Sequence, residues 1–351
     1  MRTLAFLTLV AILFGTSYWF ALMRSKPANI NLKNLRLFQE WAKEYNKSYS
    51  TPEEFNYRLT VFAGSVDRIE AHNKANHSYQ KGLNQFSDWE DIEFNKLYSV
   101  SQETERALGA IPKKYADTKM LAGLPNVPES VDWRGTAAVT PVRDMKACAS
   151  CYAITAAEAV EAALFLAYGT TPQLSVQNIL DCSSTNPYLN KGCDGGSLVE
   201  SAKFIKDKGL ATESNYRFVH QTGPCQDTKE KYVKAGDVEF YFIAQGRSDL
   251  IKNIVAYKPI TAKINNDNMK DYKHGIIMGD TCSTIPNHFA SIVGYGKEVD
   301  VRSGKTVLYW IMKNNIGDKW GENGYFRLLR SEGEVPGVCL LTDNACFAAI
   351  K

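Results

Sequence analysis

Along the first hundred residues the apolar positions fall at helical spacing. Between residues 35 and 45, Leu37, Phe38, Trp41 and Tyr45 share one face, which predicts an amphipathic helix. Ser50-Thr51-Pro52-Glu53-Glu54 predicts the start of a second helix, with Thr51 as cap, Pro52 at the first helical position and Glu54 closing a capping box. Glu54, Arg58, Phe62, Ser65, Ile69 and Asn73 then recur at steps of three or four and stack along one side of that helix. Gly82-Leu83-Asn84-Gln85-Phe86-Ser87-Asp88 reads as a short strand or turn. From 101 to 130 the pattern lapses into mixed charge and then Gly123-Leu124-Pro125-Asn126-Val127-Pro128, an expected linker open to proteolysis.

The texture changes at Val131. Residues 150–168 are rich in Ala and Leu and stop at Gly169, the pattern of a buried helix with a glycine stop. Residues 198–208 predict another helix, ended by Gly209. Beyond about residue 235 the chain turns to short β-like runs, such as 290–293, 307–313 and 325–329, bounded by Gly, Asn and Asp. Helices followed by a run of strands predict an α+β fold in two lobes.

Composition narrows the class. The chain has 351 residues, 44% hydrophobic, 11% aromatic and 23% charged, which excludes a mainly disordered chain, a collagen and a long coiled coil. A formal charge of +3 without a dense Lys/Arg stripe gives no nucleic-acid footprint. All eight cysteines fall between Cys148 and Cys346, so the cysteine-free first part is expected to be a separate unit. Residues 1–23 carry one early positive charge and then an uncharged apolar stretch, with Gly15-Thr16-Ser17 as small residues for cleavage. That predicts a signal peptide; the competing reading is a signal anchor, because the stretch just reaches the length of a bilayer span. Both put the remainder in the secretory pathway, where disulfides persist. The sequons at Asn46 and Asn76 fit that compartment as glycosylation acceptors.

Three segments could carry chemistry. Cys148-Ala149-Ser150-Cys151-Tyr152 opens the Ala-rich helix, where the dipole and unpaired N–H groups stabilise a thiolate. Alone, the C-x-x-C could be a redox pair, half a zinc site, or a structural disulfide partner beside a nucleophile. Pro286-Asn287-His288-Phe289 precedes an apolar strand, and Asn314 follows Tyr309-Trp310-Ile311-Met312-Lys313. A histidine can hold a thiol as an ion pair, and an asparagine can fix the imidazole through its other nitrogen.

With these segments in place the chain resembles the papain-like cysteine peptidases, the family of plant papain and animal cathepsin L, from about Trp41 to the C-terminus. Glu54, Arg58, Phe62, Ile69 and Asn73 follow the family's interspersed pro-helix pattern, with Ser65 where Asn is usual. Gly82, Asn84, Phe86 and Asp88 match its second pro-region motif. The resemblance implies a two-lobed fold, a helical lobe plus a β-barrel-like lobe, behind a helical pro-domain. It divides the chain into a signal or anchor at 1–23, an inhibitory pro-region and linker at 24–123, and a peptidase domain at 124–351. Within that domain the helical lobe would cover about 131–235 and the β lobe about 236–351. Cys151 would be the nucleophile, His288 its proton partner and Asn314 the orienter. Cys148 would pair with Cys193, Cys182 with Cys225 and Cys282 with Cys339. Gly195 and Gly196 would hold the peptide backbone, and Asn287, Leu198, Lys263, Phe289 and Asn344 would line the cleft and its specificity pocket. The family needs no metal or cofactor. The implied partners are a peptide or protein substrate and the chain's own pro-region as intramolecular inhibitor, in a monomer in a lysosome-like compartment or outside the cell. Membrane contact enters only through an uncleaved anchor.

The chain departs from the family pattern near the chemistry. Met145 stands six residues before Cys151, where the family has its oxyanion Gln, and a thioether donates no hydrogen bond. Ala149 replaces a Gly, Tyr152 a Trp, and Ile316 the indole that usually shields the His–Asn bond, although Trp320 is retained. Lys263 and Phe289 are larger than the usual pocket residues. An ammonium at the wall would disfavour a basic side chain, unless Lys263 snorkels outward and alters nothing. The expected function is therefore a slow cysteine endopeptidase made as a zymogen; the alternative is an impaired relative that binds peptides or a protein partner in its cleft. A C-x-x-C oxidoreductase would require Cys148 and Cys151 to pair. Cys346 is left over, as a buried thiol or an intermolecular handle.

Overall fold

The computed structural model describes residues 32–96, 113–116, 127–226, 230–279, 282, 285–331, 337–341 and 345–351. The signal-or-anchor segment and Asn344 lie outside the described residues.

Among the described residues the N-terminal unit holds three helices and a short strand. Helix α1 (Leu32–Glu44) buries Phe38 and Trp41. Helix α2 (Pro52–Lys74) begins in the expected capping box: Thr51 Oγ1 accepts from Glu54 N at 3.2 Å and Glu54 Oε2 from Ser50 N at 3.0 Å. The two helices close a small aromatic core of Phe38, Trp41, Phe62, Leu59 and Val66. The side of α2 read from the sequence is the working side. Arg58 forks onto Glu93 at 2.7 and 3.0 Å and donates to Asp88 O, while Ser65 is buried and accepts from Arg68. Asn73 brackets the Lys81 peptide with two bonds of 2.9 Å and so anchors strand β1 (Tyr79–Lys81). A short helix α3 (Asp91–Lys96) follows.

Strand β2 (Val131–Asp132) opens the second unit. Helix α4 (Cys151–Tyr168) is buried over most of its length and ends at Gly169, φ 75°, the left-handed stop that glycine adopts without cost. Helices α5 (Val176–Cys182) and α6 (Leu198–Lys208) pack beside it, each capped by a serine side chain. The remaining elements are β3 (Val238–Phe242), α7 (Ser248–Val255), β4 (Ile260–Ile264), β5 (Tyr272–Ile277), β6 (His288–Val299), β7 (Thr306–Lys313), β8 (Tyr325–Leu329) and β9 (Cys346–Ile350). The strands form one sheet in the order β1-β5-β8-β7-β6-β4-β9-β3, with β2 paired to β6. All pairings are antiparallel except β5 with β8.

Two features of this sheet were not read from the sequence. The N-terminal unit contributes its edge strand β1, and residues 114–116 pair with the opposite edge at β3, where Phe242 N donates to Lys114 O and Ala116 N to Phe242 O. Part of the segment read as an open linker is thus hydrogen-bonded. The register depends on partners more than a hundred residues away, which local composition does not encode.

Between helix and sheet lies a buried ion network. Glu158 and Glu161 project from α4 and meet Lys313 at 2.6 Å and Arg143 at 2.5 Å, with Ser291 and Thr140 completing the hydrogen bonds. Each of these charges is opposed, which is the condition for keeping them out of water. The network fixes α4 against β6 and β7, the three elements that carry the site.

Candidate active site

Cys151 is the first residue of α4, after Ser150 at the cap position, and is 1% exposed. His288 is the first residue of β6, and the β4–β6 register sets it opposite Ile264. Asn314 follows the last residue of β7, and its N–H donates to Gly324 O at 2.9 Å. Helix start and strand ends converge: the backbone at Phe289, the residue after the histidine, acts to lower the Cys151 thiol.

His288 Nε2 lies 2.9 Å from Asn314 Oδ1. The same oxygen accepts from Asn315 N at 2.9 Å, which fixes the amide orientation, since an NH2 group could not accept there. Nε2 therefore carries the ring proton, and in the neutral ring Nδ1 is the basic nitrogen. Asn315 Nδ2 donates to Phe289 O at 2.9 Å and ties the asparagine turn to the histidine strand. Sequence reasoning passed over Asn315; the doubled Asn314-Asn315 was its only local signal. Burial pushes the Cys151 thiol up to about 11, against the backbone bonds that act to lower it. Burial likewise pulls His288 down to about 4, against the opposing bond from Asn314.

Met145 is fully buried; its N–H donates to Asn315 O at 2.9 Å and its carbonyl accepts from Cys148 N. It brings a thioether where a side-chain donor was looked for. Ile316 is buried, and its carbonyl accepts from Gln85 Nε2 of the N-terminal unit at 2.6 Å. Trp320 is also buried and donates to Lys270 O, against Tyr272 and Phe326. Gly195 adopts φ 105° and accepts from Lys191 N; a Cβ on Gly196 would strike Tyr152 and Asn190. Leu198 is buried at the start of α6. Asn287 donates to Asp267 and accepts from Asn266 N, which stiffens the turn before His288. Lys263 does not snorkel outward. It is 5% exposed, its ammonium stands 5.7 Å from the centroid of the Phe289 ring opposite it, and burial brings it down to about 8. Asn46 and Asn76 are exposed at turns, with φ of 50° and 56°.

Three disulfides are present, Cys148–Cys193, Cys182–Cys225 and Cys282–Cys339, and Cys151 and Cys346 are buried thiols. Cys148 is therefore taken, and the C-x-x-C is not a redox pair. Cys346 lies 3.3 Å from Thr261 Oγ1, buried in the core.

The N-terminal unit is seated on the same sheet. Gly82 N donates to Asp271 O and Asn84 Nδ2 to Lys270 O at 2.7 Å, while Asn84 Oδ1 receives Phe86 N. Phe86 enters the main core beside Trp89 and Phe94. Asp88 accepts from Lys47 and Tyr49, and Lys270 reaches back to Trp89 O and Asp91.

Comparison with known proteins agrees with this architecture. Residues 127–349 match the papain family cysteine protease domain and residues 38–94 the cathepsin propeptide inhibitor domain. Cathepsin J of Mus musculus is 33% identical over 314 residues, covering 87% of this chain and 90% of its own. Vignain of Vigna mungo is 32% identical over 314 residues, 89% and 84% respectively. Among solved structures, the recombinant stem bromelain precursor superposes with a TM-score of 0.78 at 28% identity, covering 91% of this chain and 99% of its own. Digestive procathepsin L 3 of Tenebrio molitor larval midgut gives 0.76 at 30%, with 92% and 100% covered. A papain family protease domain over residues 127–349, behind a propeptide inhibitor domain over residues 38–94, places this chain in the papain family of cysteine proteases, as a form that still carries its propeptide.

Proposed function

We propose that this zymogen yields a slow cysteine endopeptidase in which Cys151, His288 and Asn314 carry the reaction. The observation that carries the reading is the His288–Asn314 bond of 2.9 Å, next to the Phe289 backbone that acts to lower the Cys151 thiol. Asn314 holds the ring with Nε2 protonated, so Nδ1 takes the thiol proton and the thiolate attacks the scissile carbonyl. The imidazolium then protonates the leaving amine, and water cleaves the thioester. The developing oxyanion meets the Cys151 N–H at the helix start but no side chain from Met145. One missing donor costs about 3 kcal/mol, or two to three decades in rate. The pro-region acts as intramolecular inhibitor until acidic processing in a secretory or lysosome-like compartment. Lys263 and Phe289 narrow the specificity pocket and disfavour a basic side chain there.

The buried thioether of Met145 also favours a second reading, a cleft that binds peptides without turning them over. The two separate on the full chain processed at acidic pH, compared with Cys151→Ala. Peptide hydrolysis above the Ala control supports the peptidase. Rapid alkylation of Cys151 at pH 5 to 6 without hydrolysis supports the binding protein. In the peptidase, Met145→Gln should raise kcat/KM by roughly tenfold to a hundredfold; an unchanged rate would show that the missing donor is not the defect.

A further inference from the structure

The residue after the nucleophile reaches beyond its own helix. Tyr152 is fully buried in the first turn of α4, and its hydroxyl donates to Gly192 O at 3.0 Å. Its ring lies against Gly196 so closely that a Cβ there would stand 2.7 Å from it and 2.5 Å from Asn190 Oδ1. Asn190 is itself held on three sides, accepting from Ser197 N at 2.7 Å and donating to the hydroxyls of Ser183 and Ser201. From the other side the strip is tied by the Cys148–Cys193 disulfide, by Ala149 N donating to Cys193 O, and by Cys193 N donating to Thr222 Oγ1 at 2.7 Å.

From this we infer that Tyr152 is a positioning residue for peptide binding: its phenol sets the height of the Gly195–Gly196 strip relative to Cys151. The inference rests on reading Cys151 as the nucleophile and that strip as the wall that pairs with the peptide backbone. Gly192 and Gly195 both sit at positive φ, 60° and 105°, where glycine leaves the backbone soft. Apart from Tyr152, the Gly192 carbonyl receives the Gly195 N–H at 3.3 Å, a long bond. A strip of that softness needs an external clamp if it is to present a straight edge to a substrate, and the phenol is the clamp that originates on the nucleophile's own helix. Burial, with the adjacent thiol adding to it, holds the phenol far above its ordinary range, so it is a donor at every working pH.

The test uses the full chain after acidic processing, with three alkylating probes. These are iodoacetamide, a peptidyl epoxide, and the same epoxide with one backbone amide N-methylated so that it cannot pair with the wall. Tyr152→Phe should leave the iodoacetamide rate within about twofold and slow the peptidyl epoxide by about tenfold, the worth of one net hydrogen bond. The penalty for N-methylation should shrink in the variant, because the wall it probes has already moved. An unchanged epoxide rate, or a slower rate with the full N-methyl penalty retained, overturns the inference, since a residue that only supports stability would leave that penalty alone. Failure of wild-type Cys151 to react with iodoacetamide would instead remove the nucleophile reading beneath it. Hydrogen exchange on the unprocessed chain gives a second measure. The amides of Cys193, Gly195 and Gly196 should exchange faster in Tyr152→Phe, and equal protection would also overturn the clamp.

Discussion

Cys151 and His288 are both buried in the full chain, and burial acts on them in opposite chemical senses. The thiol is pushed up to about 11 and the imidazole down to about 4, so between those values the proton stays on sulfur. At pH 7 a group titrating near 11 is ionised in a fraction of ~10⁻⁴. Alkylation of Cys151 in the unprocessed chain should therefore be slow at pH 7 and rise about tenfold per pH unit up to pH 10. On the proposed mechanism, processing should admit water to the pair and make the same thiol reactive at pH 6. A pH-independent, fast reaction of the unprocessed chain would show that the pair is already ionised under its cover. The residues proposed for this chemistry stood out in the sequence because each stands at an element end, where caps and breaks leave local marks. The direction of Lys263 was not legible: whether a lysine snorkels depends on the side chain across the strand, here Phe289, and on what covers both.

Elements written in local code were the easiest to read. The capping box at Thr51 and Glu54, the glycine stop at Gly169 and the glycine after α6 involve groups within four residues of each other. Strand β1 is different: three residues long, it exists because Asn73 brackets Lys81 from α2 and β5 pairs with it from the protease sheet. Asn73 at one end of the pro-helix pattern is thus the joint between helix and strand. Asn73→Ala removes two side-chain bonds to a part-buried peptide, worth about 2 kcal/mol together. Hydrogen exchange at Tyr79, Gln80 and Lys81 should accelerate by roughly 30-fold, with α4 amides unaffected. Equal loss of protection in α4 would mean that the pro-region and the protease domain unfold as one unit. The pairing of residues 114–116 with β3 belongs to the same class of non-local contact, which explains why composition alone cast that stretch as open chain.

At the scale of the whole molecule, the burial of His288 makes the stability of the full chain depend on pH. A histidine buried neutral, with its folded value pulled down to about 4 against about 6.5 in the unfolded chain, contributes stability that is complete above pH 6.5. As the pH falls from 6.5 toward 4 the open or unfolded chain takes up a proton that the closed site refuses, and roughly 3 kcal/mol is lost across that window. The carboxylates at the seam do not supply this trigger in the same range. Asp91, beside Lys270, is held below its usual value and keeps its charge there, while burial raises Asp271, so that its protonation favours the closed form. The Cys151→Ala background removes the proposed nucleophile and so any self-processing through it. Its Tm should fall between pH 7 and pH 4.5, and the added substitution His288→Asn should flatten that fall because the titrating ring is gone. Identical slopes for the two variants would move the acid response away from His288. A flattened slope would make the histidine proposed for catalysis also the group through which acid loosens the zymogen.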